Sequence, residues 1–360
     1  MLDDAVLMQG RHTKRKYKWI ILAAAAFVAL TAAWLGAHPG TIQSLVRRTR
    51  AGLLPNTEHY IDMPEGTTAC APTETRIICA GSGFLRVLDR SGREMLQSDT
   101  ELVSPLIRTA GDWAVVYEPG GVQFYLTGKS GITAVELLSG VDAAAVSSRG
   151  DAAVITAGSG YLTELRRYDA DGVLLSRTGF TDRAVGRITF LSDGTLAHCG
   201  VSPEGVWFLT IGGQDIPLAS RLVYDLKPCG SGAAVLTSEG LEFYDLSGEQ
   251  TGAFLPDAPV LDWDCGEYAA AVFWGQGRYR LAAVSPDGVA QETALSQRPR
   301  AVTVCAGCTA VLDRQALWIY DAGGALLERS SRFQSADDMT AGPFGPALTE
   351  DGTILLHKIS

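Results

Sequence analysis

The sequence predicts an all-β fold: a single β-propeller of four-stranded blades, eight preferred and seven the alternative, preceded by one N-terminal transmembrane helix. Three observations predict it. A hydrophobic run ending in a glycine turn recurs about every 40 residues, the period of a propeller blade. Each period holds four short runs of β-forming residues separated by Gly, Pro, Asp or Ser turns. Near the N-terminus, one long uncharged apolar run follows a cluster of bases.

That run is Trp19–Leu35, WIILAAAAFVALTAAWL, whose 17 residues carry no charge. At helical rise they reach about 25 Å, enough to cross the hydrocarbon core with slight extension. Trp19 and Trp34 bracket the segment, and Leu35 ends it, which places aromatics at both interfaces. Five Lys/Arg precede the span (Arg11, Lys14, Arg15, Lys16, Lys18) and three follow it (Arg47, Arg48, Arg50). The bias puts the N-terminus in the cytoplasm and exports the remainder. The competing reading is a cleaved leader, whose apolar region is shorter, about 7–15 residues, and ends in a small-x-small site. Leu35-Gly36-Ala37 has leucine where a small residue is needed, so a retained anchor is expected. The organisation is therefore a basic cytoplasmic tail (1–18), a transmembrane helix (19–37), a linker or short amphipathic segment (38–56) and the propeller (57–360). The expected location is the cell membrane, with one span and the propeller outside the cytoplasm.

The repeat is carried by seven turn glycines: Gly92, Gly131, Gly172, Gly213, Gly248, Gly288 and Gly324, spaced by 39, 41, 41, 35, 40 and 36 residues. Upstream of most sits a small residue, a turn and an Ala/Val-rich run, as in Thr109…WAVVY, Ser148…AAVIT, Cys229…AAVLT, Cys265…AAAVF and Cys305…TAVLD. The order within a blade is an inner run, the Ala/Val run, an aromatic-rich run such as LEFYD or LWIYD, then a polar outer run. The Ala/Val run is nearly continuous rather than alternating, which suits a strand covered on both faces. Counting inner runs gives eight. The last starts near Met339 and continues through Pro346–Thr349 and Thr353–Ile359, where the chain ends without an outer run. Glu58–Met63 supplies the missing strand, pairing antiparallel beside Thr353–Ile359 and bringing His59 and His357 into one sheet. A ring closed this way leaves no terminal sheet edge exposed.

Through its YD-x-x-G turns and blade period, residues 57–360 resemble the WD40-like and quinoprotein-like propeller superfamilies. The overall layout is similar to uncharacterised membrane-anchored propellers of Gram-positive bacteria. The Gly-His and Trp-Asp signatures of WD40 proteins do not recur, and the adjacent cysteines of quinoprotein dehydrogenases are absent. No cofactor is expected.

The chemistry-bearing residues are sparse. Residues 57–360 hold 22 bases against 38 acids, so phosphate backbones are repelled and nucleic acid is excluded as a partner. Cys229, Cys265 and Cys305 share a repeat position with Thr109 and Ser148, which reads as a small residue ending the inner strand. Cys305-Ala-Gly-Cys308 has redox-motif spacing but straddles a strand–turn–strand rather than a helix N-terminus. Cys70 and Cys79 flank a turn at Thr73–Arg76 and are the candidate disulfide. His198 falls in an Ala/Val-type strand, the ordinary setting of a satisfied core histidine. Asp262 with Asp264, and Asp337 with Asp338, read as solvated or turn-capping carboxylates, although residues two apart on a strand share a face. No catalytic, cofactor or metal residues are assigned. The expected function is a binding or scaffold module for an envelope protein, peptide or glycan. The alternative is an extracellular hydrolase or lyase acting on a polymer, with acids drawn from the inner strands.

Overall fold

The computed structural model describes residues 59–359 apart from 130, 159 and 219–221. Within them the four runs of each period become four antiparallel strands, and eight such sheets succeed one another along the chain. Blade 6 shows the pattern: inner strand Val260–Cys265, second strand Ala269–Gly275, third strand Arg278–Val284 and outer strand Ala290–Leu295. The other inner strands are Thr67–Pro72, Leu106–Ala110, Val141–Val146, Ala184–Phe190, Val223–Cys229, Ala301–Cys305 and Asp338–Gly342. Consecutive inner strands contact one another, as do the last and the first, so they surround a central channel.

The second strands form the core of every blade. Gly232–Thr237 and Ala152–Thr156 are buried along their entire length, which explains why the sequence shows no alternation there. Their two faces serve different neighbours. In blade 6, Ala269, Ala271 and Phe273 pack toward blade 5 with Leu236, Leu241 and Phe243. The intervening Ala270 and Val272 pack toward blade 7 with Val302, Val311 and Tyr320. Small alanines let the sheets approach, and the aromatics and branched residues fill the space left. Each buried Leu, Ile or Phe contributes roughly 1.5–3 kcal/mol, so blade-to-blade contact is the main stabilising interaction.

Ring closure follows the register expected. His59–Asp62 pairs antiparallel with Thr353–Leu356, His59 opposite Leu356 and Asp62 opposite Thr353, completing blade 8. Ile61 and Ile354 then join Ile77, Cys79 and Leu88 in a core shared by blades 8 and 1. One boundary differs: the ladder ends at Leu356 rather than Ile359. Beyond it His357 N donates to the Pro346 carbonyl at 3.0 Å and Ile359 N to that of Phe344 at 3.3 Å. Six of the seven turn glycines lie between third and outer strands, and Gly131 opens the outer strand of blade 2. In the Asp-x-x-Gly turns the aspartate gathers the loop. Asp245 Oδ1 accepts from Ser247 N and Glu249 N at 2.8 and 3.0 Å, and Asp321 repeats the arrangement.

Gly288 shows why that position is glycine. Its φ of +83° favours a residue without Cβ, and an added Cβ would lie 2.8 Å from the backbone of Ala253 in the outer strand of blade 5. Gly92 meets Ile61 of blade 8 in the same way. At these positions the turn glycine is a contact between blades as well as a bend.

Among the described residues no helix is long and apolar enough to cross a membrane. The span expected at 19–37, with Trp19, Trp34 and Leu35, lies outside them.

Candidate functional site

Inner strands, like the outer ones, are more polar than the buried middle strands of each blade, and one edge of each faces the channel. In blades 1, 3, 5 and 6 the inner strand carries a bulge at its second residue (Thr68, Asp142, Tyr224 and Leu261), and in blade 4 at its third, Gly186. A bulge leaves its extra residue unpaired and re-aims its side chain. Tyr224 and Leu261 are about half exposed as a result.

A cavity of about 520 Å³ lies against the inner strands of blades 5 to 8, within the range of ligand sites. Lys227, Asp262, Asp264, Arg298, Arg300 and Asp338 are its charged lining, with Leu261, Val302, Thr303 and Met339 among the others. The two aspartates do share a face, and that face is turned toward blade 7. Asp262 Oδ2 accepts from Val302 N at 2.9 Å and its Oδ1 from Trp263 N at 2.9 Å. Asp264 Oδ2 accepts from Val304 N at 2.9 Å and Thr303 Oγ1 at 2.7 Å. These are edge donors of the next inner strand, which would otherwise need water. The carboxylates therefore bridge blades; they are neither simply solvated nor turn caps, as the sequence suggested.

Lys227 of blade 5 extends the bridge. Its Nζ donates to Asp264 Oδ1 and to the Trp263 carbonyl, each at 3.0 Å, and lies 4.9 Å from the centre of the Trp263 ring. Burial pulls the ammonium down, but the Asp264 charge and hydrogen bond prevail and hold it above its ordinary range. Asp225 of blade 5 accepts from Trp263 Nε1 at 3.2 Å. Asp262 carries the opposite imbalance: burial outweighs its two backbone donors and raises its carboxyl above the usual range.

The mouth differs from the interior. Arg298 and Arg300, in the connection from blade 6 to blade 7, are exposed. Arg300 spends one donor on the Asp337 carbonyl at 3.1 Å, and Arg298 forms no ion pair or hydrogen bond among the described residues.

The other sequence candidates do not converge here. Cys70 and Cys79 sit directly opposite in blade 1, sulfurs 3.4 Å apart. Cys305 and Cys308 are cross-strand partners at the hairpin of blade 7. His198 is buried against Phe180, and its Nδ1 lacks a partner among the described residues, so it is a core histidine but not a fully satisfied one. Burial depresses it to about 4. Asp338 lines the cavity while its neighbour Asp337 does not. Among the described residues, no group of three His, Cys, Asp or Glu side chains is placed to hold a metal ion. Sequence reasoning missed Lys227, Arg298 and Arg300. The available signal was a lysine interrupting an inner run, and an Arg-Pro-Arg leading into the next.

A family model described only as a family of unknown function (DUF5711) matches residues 58–198, the closing outer strand and the blades that follow it as far as the second strand of blade 4. No curated protein matches the chain. Among solved structures, apo AztD from Citrobacter koseri is 13% identical with a TM-score of 0.53, covering 73% of this chain and 85% of that one. Dihydro-heme d1 dehydrogenase NirN in complex with DHE is 14% identical with a TM-score of 0.52, covering 73% and 66%. A streptogramin B lyase structure is 12% identical with a TM-score of 0.46, covering 83% and 96%. At such identities what is shared is architecture alone. With its repeat, sheet order and two-ended closing blade, this chain belongs among the β-propellers and has eight blades.

Proposed function

We propose that the protein is a membrane-anchored, extracytoplasmic binding module that holds an envelope protein, peptide or glycan at the channel mouth of its propeller. The observation that carries this reading is the division of labour in the cavity. Its inner carboxylates are engaged by backbone donors and Lys227, whereas the mouth presents uncommitted arginine donors beside exposed Leu261. Groups already holding the fold together are poor acid–base catalysts; exposed Arg and apolar groups at a cavity rim are recognition chemistry. The basic run before Trp19 supports the topology. A photo-cross-linking residue at Leu261 of the full-length chain, in its own membrane, should give one discrete adduct, and the same residue at Val173 should give none. External protease should digest the propeller while sparing a tag at Met1. Equal labelling from both positions, or a mature chain beginning near His38, would overturn the reading.

One observation favours a second reading. Asp262, raised by burial beside the ion-paired Asp264, resembles the split carboxylates of polymer-cleaving enzymes. On that reading the purified protein cleaves an envelope polysaccharide and Asp262→Asn abolishes cleavage. Absence of cleavage by the wild type eliminates it.

A further inference from the structure

The binding-module reading leaves the ligand open, and the structure narrows it. The described propeller residues belong to a strongly acidic region, yet the cavity end of blades 6 and 7 is basic. Arg278, Arg298, Arg300, Arg314 and Arg332 are all exposed in the turns and connections there. The acids of the same turns are fewer. Asp313 is buried, with its carboxylate taking Gln315 N, Ala316 N and Trp318 Nε1, which leaves Asp257, Asp337 and Asp338 exposed against the five arginines. The exposed charge of these turns is therefore net positive, opposite in sign to that of the domain.

The same end carries large apolar side chains with nothing over them. Leu222, Tyr224, Leu255, Leu261 and Trp274 are each between 47% and 59% exposed, all on blades 5 and 6. They sit at or just before inner-strand starts, on the connection between those blades, or at the end of the second strand of blade 6. Trp274 lies two residues beyond Val272 on the same strand, and so on the same face. Val272 lines the cavity, so Trp274 continues that wall toward the mouth. Its ring stands edge-on to Tyr279, centroids 4.5 Å apart, which fixes it as a platform. Trp, Tyr and Arg around a desolvated pocket are the composition of a protein-recognition site, and adjacent uncovered apolar groups mark a partner surface.

We propose that this mouth binds an acidic polypeptide segment with interspersed apolar residues, its carboxylates on Arg298 and Arg300 and its apolar side chains on Leu261, Tyr224 and Trp274. This rests on the binding-module reading and adds the chemistry of the partner. Planar guanidinium groups pair with carboxylates bidentately. The apolar platform gives affinity that a purely ionic contact loses to salt. A carboxylated glycan shares the anionic feature but makes less use of leucines.

The test is fluorescence anisotropy of full-length protein in detergent, with a fluorescein-labelled dodecapeptide of alternating glutamate and leucine. A lysine–leucine counterpart and unlabelled tetragalacturonate complete the set. We expect the acidic peptide to bind. We expect Arg298→Glu with Arg300→Glu to weaken it at least tenfold, and Trp274→Ala at least threefold. Lys129→Glu, the same charge change on the third-to-outer-strand turn of blade 2, should leave affinity unchanged. These side chains are exposed, and unchanged melting temperatures confirm folding. Equal binding of the lysine peptide, indifference to the arginine reversal, or displacement by tetragalacturonate at equal concentration would each overturn the proposal. If the probe fails while cross-linking at Leu261 still yields a discrete adduct, the partner chemistry is wrong and the binding reading stands. If both fail, the binding reading falls too.

Discussion

Blade 6 and blade 8 have the same strand order but opposite histories. Blade 6 folds from one consecutive segment, Val260–Leu295, with every register set by a local turn. Blade 8 takes three strands from Asp338–Leu356 and its fourth from His59–Asp62. Its register cannot come from a turn; it comes from side chains, with Ile61 entering the core that Ile77 and Ile354 line. The entropic cost of closing so long a loop rises only logarithmically, about 0.6 kcal/mol per doubling of length. A few buried aliphatic groups offset it. Closure is therefore inexpensive to form and costly to lose.

Truncation is the strongest way to break this comparison. Deleting Thr353–Ser360 removes Ile354, Leu355 and Ile359 from the cores of two blade interfaces and leaves His59–Asp62 without a partner. At roughly 1.5–3 kcal/mol for each side chain, the loss rivals the whole stability of a typical domain, about 5–15 kcal/mol. We expect no cooperative unfolding transition and no soluble folded protein. A truncated chain that melts like the full one would show that blade 8 does not close the ring.

Substitutions inside the two blades sharpen the point. Phe273→Ala in blade 6 should cost about 3–5 kcal/mol and Ile354→Ala in blade 8 about 2–5 kcal/mol, since both side chains are fully buried. Chemical denaturation measures both. If Ile354→Ala costs under about 1 kcal/mol, the closing blade is loosely packed and the equivalence fails.

Blade 8 was legible in the sequence because its evidence was arithmetic: eight inner runs, seven turn glycines, and a strand-forming EHYIDM at the far end. The Ala/Val strands were legible because burial on both faces removes alternation. The cavity was not. Asp262 and Asp264 were visible as a pair on one strand face, but their acceptors' partners, Val302 N and Val304 N, are backbone groups of the next blade. A repeat period places blades in order without specifying which backbone donors their edges expose. Lys227 was invisible for the same reason, because its partner lies one blade away.

Acid should act on a blade away from the seam. The His198 imidazole of blade 4 is depressed from 6.5 to about 4 by burial, so the folded state disfavours the proton that the unfolded chain takes up. Its contribution is fully present above about pH 6.5 and is lost as pH falls toward 4, on the order of 3 kcal/mol in total. His198→Gln should flatten the stability profile over that window, as read from urea unfolding at several pH values. A mutant profile with the wild-type slope would assign the acid sensitivity elsewhere.

The turn glycines separate a bend from a blade contact. An added Cβ at Gly213 (φ +91°) meets nothing within 4 Å, whereas at Gly288 it lies 2.8 Å from the Ala253 backbone. Gly213→Ala should cost about 1 kcal/mol for its left-handed backbone, and Gly288→Ala about 2 kcal/mol or more. Equal costs would mean that the neighbouring outer strand shifts freely.

The smallest effects are expected at the cysteines. Cys229 and Cys305 are buried at inner-strand ends, where blade 2 places Ala110 rather than the Thr109 expected from sequence, so the position asks for a small side chain rather than for sulfur. Cys229 touches Cys265 across blades 5 and 6, and burial raises the Cys305 thiol far above its ordinary range, leaving it a poor nucleophile. Replacing any one by Ala deletes a single buried atom or lone contact, about 1 kcal/mol, a shift of a few degrees at most in a domain this size. Blade 1 is the instructive contrast, because Cys70 and Cys79 face each other beside the closing core. If the propeller is exported, as proposed, an oxidising compartment joins them. Mass spectrometry of protein taken from the membrane under alkylating conditions should then show a disulfide-linked peptide pair joining Thr67–Pro72 to Arg76–Gly81 that separates on reduction. Alkylation of both thiols in that material would place blade 1 in a reducing environment and remove the support that oxidation lends to the exported topology.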